Sequence, residues 1–512
     1  MYGRVLGVSL IGVGGHLVTV EAHVGRGLPS LTLTGLPGPA VRDAAERIRP
    51  AVEGAGLEWP LRRVVVNLAP GNLRKEGPGL DLAVAMCVLV ATAQVPATSL
   101  TRLAFVGELS LKGELLPTPG VLSGAIAAAR RRLEGVIVPA DNALEAAQID
   151  GLMVVAASTI SDVAGFLRGT WSPPPIDGDR PRSAAGTTVD FADVRGQAQA
   201  RRALEVAAAG GHNVLLVGSP GAGKTMLARR VTTILPQLSR DEALEASQLH
   251  SVAGLLGAGE GILRTRPFRA PHHSISQAGL LGGGATYLRP GEVSLAHHGV
   301  LFLDELTEFR RDAIEGLRQP LEDGRVVVTR AAGSVEFPAR FTLVAAANPC
   351  PCGFEGDPRR HCRCRPDRAD AYRQKLSGPL LDRIDLRLRV PRLTKAELMG
   401  GTASETSSSI RERVQAARDR QNVRWASIGV ACNAHLPGPV ARRRVRLTAD
   451  AGELLGRAVE SLALTGRGFD RALKVGQTIA DLAGREVVET GDMAEALSYR
   501  DGFGDPEMAR AG

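Results

Sequence analysis

The chain has 512 residues, of which 44% are hydrophobic and 23% are charged, and its formal net charge is +8. The length suggests two to four domains, and the composition excludes a disordered or collagen-like chain. The longest apolar run, Leu82 to Ala91, is too short to cross a membrane. Aromatic residues make up only 4% of the chain, so few stacking platforms for single-stranded nucleic acid are expected.

The first residues are apolar enough, from Val5 to Val13, to be the core of a signal peptide. Alternation of apolar and polar residues continues to His23, however, and favours two strands joined by a turn. Without an export signal we expect a cytoplasmic protein, whose six cysteines stay reduced.

Residues 1–168 mix short strands and helices and are predicted to form one domain. The patterns predict a strand over 62–67, a helix over 79–93, a hairpin over 105–116 and a helix over 121–132. Residues 169–189 have the Pro, Gly, Asp and Ser content of a linker. Beyond it we expect a second domain over 190–392 and a helical region over 393–505.

Residues 218–225 match the P-loop pattern G-x-x-x-x-G-K-[ST]. An apolar strand is predicted just before the motif, at 213–217, and a helix just after it. In that context backbone amides and the helix N-terminus surround phosphate, the lysine reaches the β- and γ-phosphates and the threonine binds Mg²⁺. The motif therefore predicts ATP and Mg²⁺ as ligands, held by Gly218, Ser219, Pro220, Gly221, Ala222, Gly223, Lys224 and Thr225.

A second acidic motif, LFLDE, ends a predicted strand over 299–303. Asp304 is suited to hold Mg²⁺ directly or through water, and Glu305 is suited to polarise the attacking water. The two motifs in this order predict hydrolysis of the nucleotide as well as binding.

Four of the six cysteines form two C-x-C pairs separated by nine residues: Cys350, Cys352, Cys362 and Cys364. Four thiolates suit a tetrahedral structural Zn²⁺, although C-x-C is tighter than the usual spacing and His361 could replace one ligand. A redox-sensitive or merely structural loop is the alternative. Cys87 and Cys432 are expected to be isolated thiols, the first in a buried helix.

Two pairs of adjacent histidines, His272-His273 and His297-His298, could suggest another metal site. Neighbouring residues on a regular helix or strand point apart, so each pair is predicted to chelate poorly and to pack within the protein.

Several longer stretches resemble the magnesium-chelatase-like AAA+ ATPases of the ComM/YifB type. RPFRAPHHSIS at 266–276, RPGEVSLAHHGVLFLDEL at 289–306 and KLSGPLLDRIDL at 375–386 resemble the chelatase ATPase subunit. The stretch at 64–86 resembles the extra domain of the ComM/YifB type. The resemblance covers nearly the whole chain and implies an α/β fold: a P-loop AAA+ core with a C-terminal helical lid, preceded by an α+β Lon-protease-like domain (ribosomal S5 domain 2-like).

The resemblance also implies roles for four polar residues. Asn348 matches the sensor-1 residue that helps orient water, and Arg383 matches an arginine finger that reaches the ATP of a neighbouring subunit. Arg471, with Arg467 as the alternative, matches the sensor-2 arginine that contacts the γ-phosphate. The segment 193–197 resembles one that packs near the adenine. An arginine finger implies a homo-oligomeric ring, most simply a hexamer.

The N-terminal domain departs from Lon proteases at the two positions that carry their chemistry. The chain reads Lys75-Glu-Gly-Pro78 and then Gly79 where the family has its serine, and 119–122 reads PGVL where its lysine would lie. A nucleophile and a base are both needed, so the domain is predicted to be peptidase-inactive. Lys112 lies nearby in sequence but is expected to be exposed.

A predicted strand pair at 325–330 and 334–337, with a long insertion at 247–298, resembles insertions that face the pore in related rings. Arg330 at the hairpin tip is a candidate DNA contact, and a solvated turn arginine is an equal alternative. The resemblance favours an ATP-driven ring motor on DNA, like the ComM-type branch-migration helicases. The alternatives are a chelatase-type motor for metal insertion and a remodeller of protein partners. For the N-terminal half alone, a further alternative is a non-enzymatic, Lon-like domain that serves only as an adaptor or assembly scaffold.

Overall fold

The computed structural model describes residues 1–77, 79–97, 100–176, 189–284, 288–330, 333–376, 378–399 and 404–500. Most of the expected linker, residues 177–188, falls outside this part of the chain. Two sheets organise the described residues, one before the linker and one after it. Among these residues no helix is both long and apolar enough to cross a bilayer.

The N-terminal sheet is built from seven strands: β1 (Tyr2–Ile11), β2 (Gly14–Gly25), β3 (Ser30–Thr34), β4 (Arg63–Ala69), β5 (Leu103–Phe105), β8 (Gly135–Pro139) and β9 (Met153–Ala157). Their order is β3-β4-β2-β1-β5-β8-β9. Strand β2 is antiparallel to both β1 and β4, whereas β5, β8 and β9 extend the sheet in parallel. The predicted hairpin is reduced to a short antiparallel pair, β6 (Glu108–Leu109) with β7 (Leu115–Leu116).

Five helices accompany this sheet: α1 (Pro39–Gly54), α2 (Asp81–Ala91), α3 (Val121–Arg130), α4 (Ala143–Ala146) and α5 (Ile160–Arg168). The two predicted helices are confirmed as α2 and α3. All eleven residues of α2 are buried, including Cys87, because the helix lies between the sheet and α1. Burial raises the pKa of the Cys87 thiol to about 12, which keeps it protonated.

The second sheet has five strands: β10 (Val214–Val217), β11 (Phe268–Arg269), β14 (Val300–Leu303), β17 (Thr342–Ala347) and β18 (Leu386–Arg389). Their order is β11-β14-β17-β10-β18, and every neighbouring pair is parallel. The carboxyl ends of all five strands therefore share one edge, where ligands bind in sheets of this kind. Strand β10, which leads into the P-loop, lies between β17 and the edge strand β18.

The helices and short strands around this sheet follow in chain order: α6 (Ala198–Gly210), α7 (Lys224–Ile234), α8 (Arg240–Val252), α9 (Gln277–Leu281), β12 (Gly282–Gly283), β13 (Arg289–Pro290), α10 (Glu292–Leu295), α11 (Arg311–Gly316), α12 (Arg318–Asp323), β15 (Arg325–Arg330), β16 (Gly333–Pro338), α13 (Pro366–Gln374), α14 (Gly378–Leu381) and α15 (Lys395–Met399). The predicted strand pair at 325–337 is confirmed as the antiparallel hairpin β15–β16.

The C-terminal region is helical, as predicted, with α16 (Ser407–Trp425), α17 (Gly438–Arg444), α18 (Ala449–Ser461), α19 (Gly466–Leu482) and α20 (Thr490–Ser498), and with the short strands β19 (Arg446–Leu447) and β20 (Val487–Val488). Helices α16 and α19 pack on α6 and share a hydrophobic cluster with the five-stranded sheet. The helical region is therefore joined to the core by a common apolar interior.

The N-terminal domain meets the core differently, through hydrogen bonds. Gly120 donates its amide to the Ser251 carbonyl (3.0 Å), and the side chain of Gln248 donates to the Val13 carbonyl (2.8 Å). The hydrophobic clusters formed by described residues of the two domains do not merge. Helix α8 of the core thus rests on α3 and on the turn between β1 and β2.

That contact lies beside the part of the N-terminal domain where a Lon-type site would lie, since Gly120 takes part in both. Gly79, Pro119 and Gly120 line a cavity of only about 10 Å³, space for about one water molecule. Its described lining has one carboxylate, Glu76, and neither a hydroxyl nor an amine. Lys75 is buried and donates to the Gly35 carbonyl (2.8 Å), which indicates a structural lysine, and Lys112 is exposed as predicted.

Candidate nucleotide site

The P-loop connects β10 to α7 and needs glycine at several positions. Gly221 and Gly223 have φ of +79° and +93°, which favour glycine. At Gly218 a Cβ atom would lie 2.3 Å from the Val390 carbonyl oxygen, so the backbone passes too close for any side chain. A Cβ at Gly221, in contrast, would meet nothing within 4 Å. The loop is therefore crowded at Gly218 and open at Gly221, so that phosphate can approach its backbone amides at that end.

Lys224, the first residue of α7, is buried against the loop. Its ammonium donates to the Gly218 carbonyl (2.5 Å) and to Oδ1 of Asn348 (3.1 Å). Burial lowers the pKa of Lys224, and the carboxylates of Asp304 and Glu305 oppose that shift. Asn348 follows β17, so the predicted sensor and the P-loop lysine are in direct contact.

Thr225 and Asp304 form the second part of the site. The threonine hydroxyl donates to Oδ2 of Asp304 at 2.7 Å, and Oδ1 of Asp304 accepts the Glu305 amide at 3.0 Å. The hydroxyl in the first turn of α7 and the carboxylate directly after β14 lie side by side, and both are hard oxygen donors, the kind that Mg²⁺ prefers. These residues therefore fit the metal that accompanies a nucleotide.

Glu305 has an unusual backbone for a residue with a side chain. Its φ is +52°, in the left-handed region, and its side chain is 55% exposed. Oε2 lies 3.7 Å from Nδ1 of His273. A non-glycine residue held in this region is strained, and such strain concentrates at functional positions. The strain fits the predicted role of this carboxylate beside the nucleotide.

Gln197 lies against the same loop. Its side-chain amide donates to the carbonyls of Ala222 (3.2 Å) and Pro391 (2.7 Å). The segment 193–197 is therefore attached to the P-loop, in line with its expected place near the base of a nucleotide.

The arginines predicted to complete the site lie at the other end of the sheet. Strands β10 and β18 run parallel with Val214 opposite Leu386, and the Asp385 amide donates to the Asn213 carbonyl at 3.0 Å. Arg383 thus precedes β18 at the amino edge, whereas the P-loop follows the carboxyl edge. The four residues of β10 separate the two edges by about 13 Å. Within one chain Arg383 and Lys224 are not brought together.

Arg471 is held at the same amino edge. It pairs with Asp385, which is 4% exposed and also accepts the Asn213 amide at 2.9 Å. Burial alone would raise the pKa of Asp385, but Arg471 and His212 hold it well below its ordinary value. The expected contact of Arg471 with a γ-phosphate is therefore not made inside a single chain.

Glu322 is a site residue that sequence reasoning missed. Its Oε1 lies 2.5 Å from Nη2 of Arg383 and 3.0 Å from Nη2 of Arg467. The hydrogen bond from Arg383 lowers the pKa of this carboxyl. Glu322, Arg467 and Arg471 line an open cavity of about 1100 Å³ between the core and the helical region. Both sensor-2 candidates and the predicted finger thus converge on one surface.

The four clustered cysteines come together as the zinc prediction requires. The sulfur of Cys350 lies 3.4 Å from that of Cys352 and 3.6 Å from that of Cys362, and all four sulfurs lie within 4.8 Å of one another. A tetrahedral site with Zn–S bonds of about 2.3 Å has sulfur–sulfur edges of about 3.8 Å. The donor set therefore fits zinc, and His361 is exposed and outside it.

The expectation that adjacent histidines point apart is wrong. His298 has φ of +57°, so the regular alternation is broken, and the rings of His297 and His298 lie 3.9 Å apart. Both Nε2 atoms contact Oε2 of Glu245, at 3.2 and 2.8 Å. The His272 and His273 rings are also close, at 4.1 Å.

A metal between His297, His298 and Glu245 does not fit this arrangement. The Arg340 amide donates to Nδ1 of His297 at 2.9 Å, so Nδ1 carries no proton. In the neutral ring Nε2 then holds the proton and donates it to Glu245. A metal-bound histidine needs the opposite tautomer, with the free nitrogen donating its proton.

The hairpin β15–β16 contacts the N-terminal domain on one side. A Cβ atom at Gly12, in the turn between β1 and β2, would lie 2.5 Å from Cγ1 of Val335. The side chain of Arg330 and residues 331–332 lie outside the described part of the hairpin. Arg330 as a DNA contact stays a prediction.

Comparison with known families covers almost the whole chain. Residues 190–398 match the family described as magnesium chelatase, subunit ChlI. Residues 20–142 match the description subunit ChlI of Mg-chelatase, and residues 404–500 match the C-terminal part of subunit ChlI.

Several relatives align over nearly their full length. The chain is 44% identical to an uncharacterised protein of Mycobacterium tuberculosis, over 97% of this chain and 98% of the relative. It is 42% identical to the competence protein ComM of Haemophilus influenzae and 41% identical to the uncharacterised protein YifB of Escherichia coli, each over 96% of both chains. A Lon protease of Geobacter metallireducens is 28% identical over 34% of this chain and 22% of its own length.

Proposed function

We propose that this chain, which belongs to the ComM/YifB family of magnesium-chelatase-like AAA+ ATPases, hydrolyses ATP within a homo-oligomeric ring and uses the energy to move on DNA. Members of such families are usually oligomeric, and the simplest ring is a hexamer. The proposal places the protein in the cytoplasm, where DNA and ATP are available.

The observation that supports a ring is that the parts of the proposed site lie at two opposite edges of one sheet. Lys224, Thr225, Asp304 and Asn348 form a phosphate and metal site at the carboxyl edge. Arg383 and Arg471 are held at the amino edge of the same sheet. A second copy can present its amino edge to this site, as a head-to-tail ring requires.

In the proposed reaction each residue has a distinct task. Lys224 and the P-loop bind the phosphates, and Thr225 with Asp304 holds Mg²⁺, which supplies neutralisation of phosphate charge. Glu305 polarises the attacking water and Asn348 orients it. The neighbouring subunit's copy of Arg383 stabilises charge that develops in the transition state.

The proposed action on DNA rests on three features. The relative of Haemophilus influenzae bears the name competence protein, and this chain aligns with it over 96% of its length. The formal net charge of +8 permits contact with a phosphate backbone. The hairpin β15–β16 resembles the insertions that face the pore in related rings.

Steady-state ATP turnover tests the proposal. It is measured without DNA and with duplex, single strands and a four-way junction, at two salt concentrations, with Lys224→Ala as the control for contaminating ATPases. We expect stimulation that is strongest with the junction and weakened by salt. Turnover that ignores every DNA would reject the DNA part and direct the search to metal insertion or protein substrates.

We also propose that Cys350, Cys352, Cys362 and Cys364 hold one structural Zn²⁺. The sulfur distances support this proposal: those among Cys350, Cys352 and Cys362 are 3.4 to 3.6 Å, close to the sulfur–sulfur edges of a tetrahedral thiolate site, and the Cys364 sulfur lies within 4.8 Å of the other three. The metal content of protein purified without chelators tests it: about one zinc per chain is expected, and a content near zero would reject it.

A further inference from the structure

The segment that carries the four cysteines, residues 349–365, contains no helix or strand between β17 and α13. We name it the cysteine loop. Irregular segments of this length have no backbone ladder to fix them and need other constraints to hold one shape. In this loop the sulfur cluster, which joins its first and last parts, is such a constraint.

The cysteine loop lies directly on the P-loop. Gly353 has φ of +80°, and a Cβ atom there would lie 2.6 Å from Cδ of Pro220. The backbone of the cysteine loop therefore packs against the proline ring without space for another atom. Three residues further on, a Cβ on Gly356 would have much more room: its nearest atom would be a guanidinium nitrogen of Arg389, at 3.7 Å.

Polar contacts reinforce this packing. The Ser219 hydroxyl bonds to Asp357 and lowers the pKa of that carboxyl. Arg392 lies between the two loops, with Nε 2.8 Å from Oδ2 of Asp357 and Nη2 donating to the Pro220 carbonyl at 3.1 Å. Two consecutive residues of the P-loop, Ser219 and Pro220, are thus fixed by the cysteine loop.

The same loop begins at residue 349, directly after Asn348, which contacts Lys224. One end of the loop thus continues from the predicted sensor, and its middle covers the phosphate-binding turn. A constraint that fixes the loop also fixes both parts of the nucleotide site.

From these contacts we infer that metal binding by the four cysteines controls nucleotide affinity. A zinc-class cation held by the thiolates keeps the cysteine loop on Ser219 and Pro220, and thereby holds the P-loop in its binding shape. The inference rests on the proposed nucleotide site and adds a regulator to it: loss of the metal releases the loop, and the affinity for ATP and ADP falls.

The experiment separates metal binding from contact between the loops. Cys362→Ser combined with Cys364→Ser removes two ligands that lie nine and eleven residues after Gly353, the residue that packs on Pro220. Gly353→Ala keeps all four ligands and places a methyl group against Pro220. Gly356→Ala is the matched control, since its φ of +72° imposes a similar backbone strain without that collision.

Zinc content and the affinity for a fluorescent ADP analogue are measured on the full chain, without DNA. The cysteine variant is expected to lose its zinc and about tenfold in affinity, the effect of losing roughly one hydrogen bond to a charged group. Gly353→Ala is expected to keep the zinc and to lose a similar factor. Gly356→Ala is expected to keep both.

Two results would overturn the inference: wild-type protein without zinc, or a zinc-free cysteine variant that binds the analogue as tightly as wild type. The alanine variants control for loss of affinity by unfolding, because Gly353→Ala is expected to weaken binding while zinc stays bound, which an unfolded protein would not do. Failure of the proposed DNA function is distinguishable, since it changes DNA-stimulated turnover and leaves these binding constants unaffected.

Discussion

Two inactive variants are predicted to regain ATP turnover when mixed, if the nucleotide site is shared between subunits. Lys224→Ala disables the carboxyl edge of a chain and leaves its arginines intact. Arg383→Ala disables the amino edge and leaves the P-loop intact. Alone, each variant should be nearly inactive, since the loss of an arginine finger lowers turnover by about a thousandfold or more. A mixed ring contains interfaces that combine the two intact edges.

The size of the recovery follows from the geometry. In a ring assembled at random from equal amounts, each interface has an intact P-loop on one side in half of the cases and an intact Arg383 on the other side in half. About one quarter of the interfaces are therefore complete, so turnover should reach about a quarter of the wild-type value when interfaces act independently. A site contained within one chain gives no recovery.

The assay is phosphate release from a titration of one variant into the other, with a peak expected at equal amounts. Lys224→Ala mixed with Glu305→Gln is the matched control, because both changes lie on the same edge and no interface becomes complete. Arg383→Ala mixed with Arg471→Ala should also fail if the two arginines act together from one edge. Copurification of differently tagged chains confirms that mixed rings form.

Mixed rings that remain as inactive as the single variants would refute the division of the site. Recovery in the Lys224→Ala and Glu305→Gln mixture would refute it as well, since it would indicate that these residues come from different subunits.

Three further outcomes are expected. Glu305→Gln should bind ATP but lower turnover by at least about a hundredfold, and normal phosphate release would reject its role. Burial lowers the pKa of His297 to about 4, so its contribution to the free energy of unfolding is fully present above about pH 6.5 and falls by about 3 kcal/mol as the pH drops towards 4. Urea unfolding should show a smaller pH dependence in His297→Gln, and a pH dependence as large as in the wild type would contradict this. The full chain should not cleave fluorogenic peptides, with or without ATP, and cleavage above the blank would contradict the interpretation that the small cavity beside Gly79, without a hydroxyl or amine in its described lining, is peptidase-inactive.

The parts of the site that the sequence predicts well are those made by neighbouring residues. Strand β10, the P-loop and α7 occupy one continuous segment, and Asp304 follows its strand directly. In each case a local pattern decides both the backbone shape and the position of the functional group, so no knowledge of the rest of the fold is needed.

The position of Arg383 and Arg471 could not be predicted in this way. Which edge of the sheet they occupy depends on the pairing of β18 with β10, whose partners are separated by more than 150 residues. The resemblance to a known family supplied their types and roles, but only the strand register places them away from Lys224. The contact of Gly353 with Pro220, 133 residues apart in the chain, is also long-range and has no signature in the sequence.

The prediction that adjacent histidines point apart was wrong for a local reason, the backbone conformation of one residue. The rule that adjacent side chains diverge holds for regular helices and strands, and His298 is in neither. Its left-handed backbone follows from a hydrogen bond of its amide to the Arg340 carbonyl (2.6 Å) and from the buried position of His297, both of which depend on distant residues.

The polar junction between α3 and α8 has a mechanical consequence. Hydrogen bonds contribute about 1 kcal/mol each in net terms, so two separate proteins joined only by such a contact would soon part. Because both halves belong to one chain, their effective concentration is on the order of millimolar, and the contact reforms readily. Because the hydrophobic clusters of the described residues do not cross this seam, we expect the two domains to shift here first when the ATPase core changes shape.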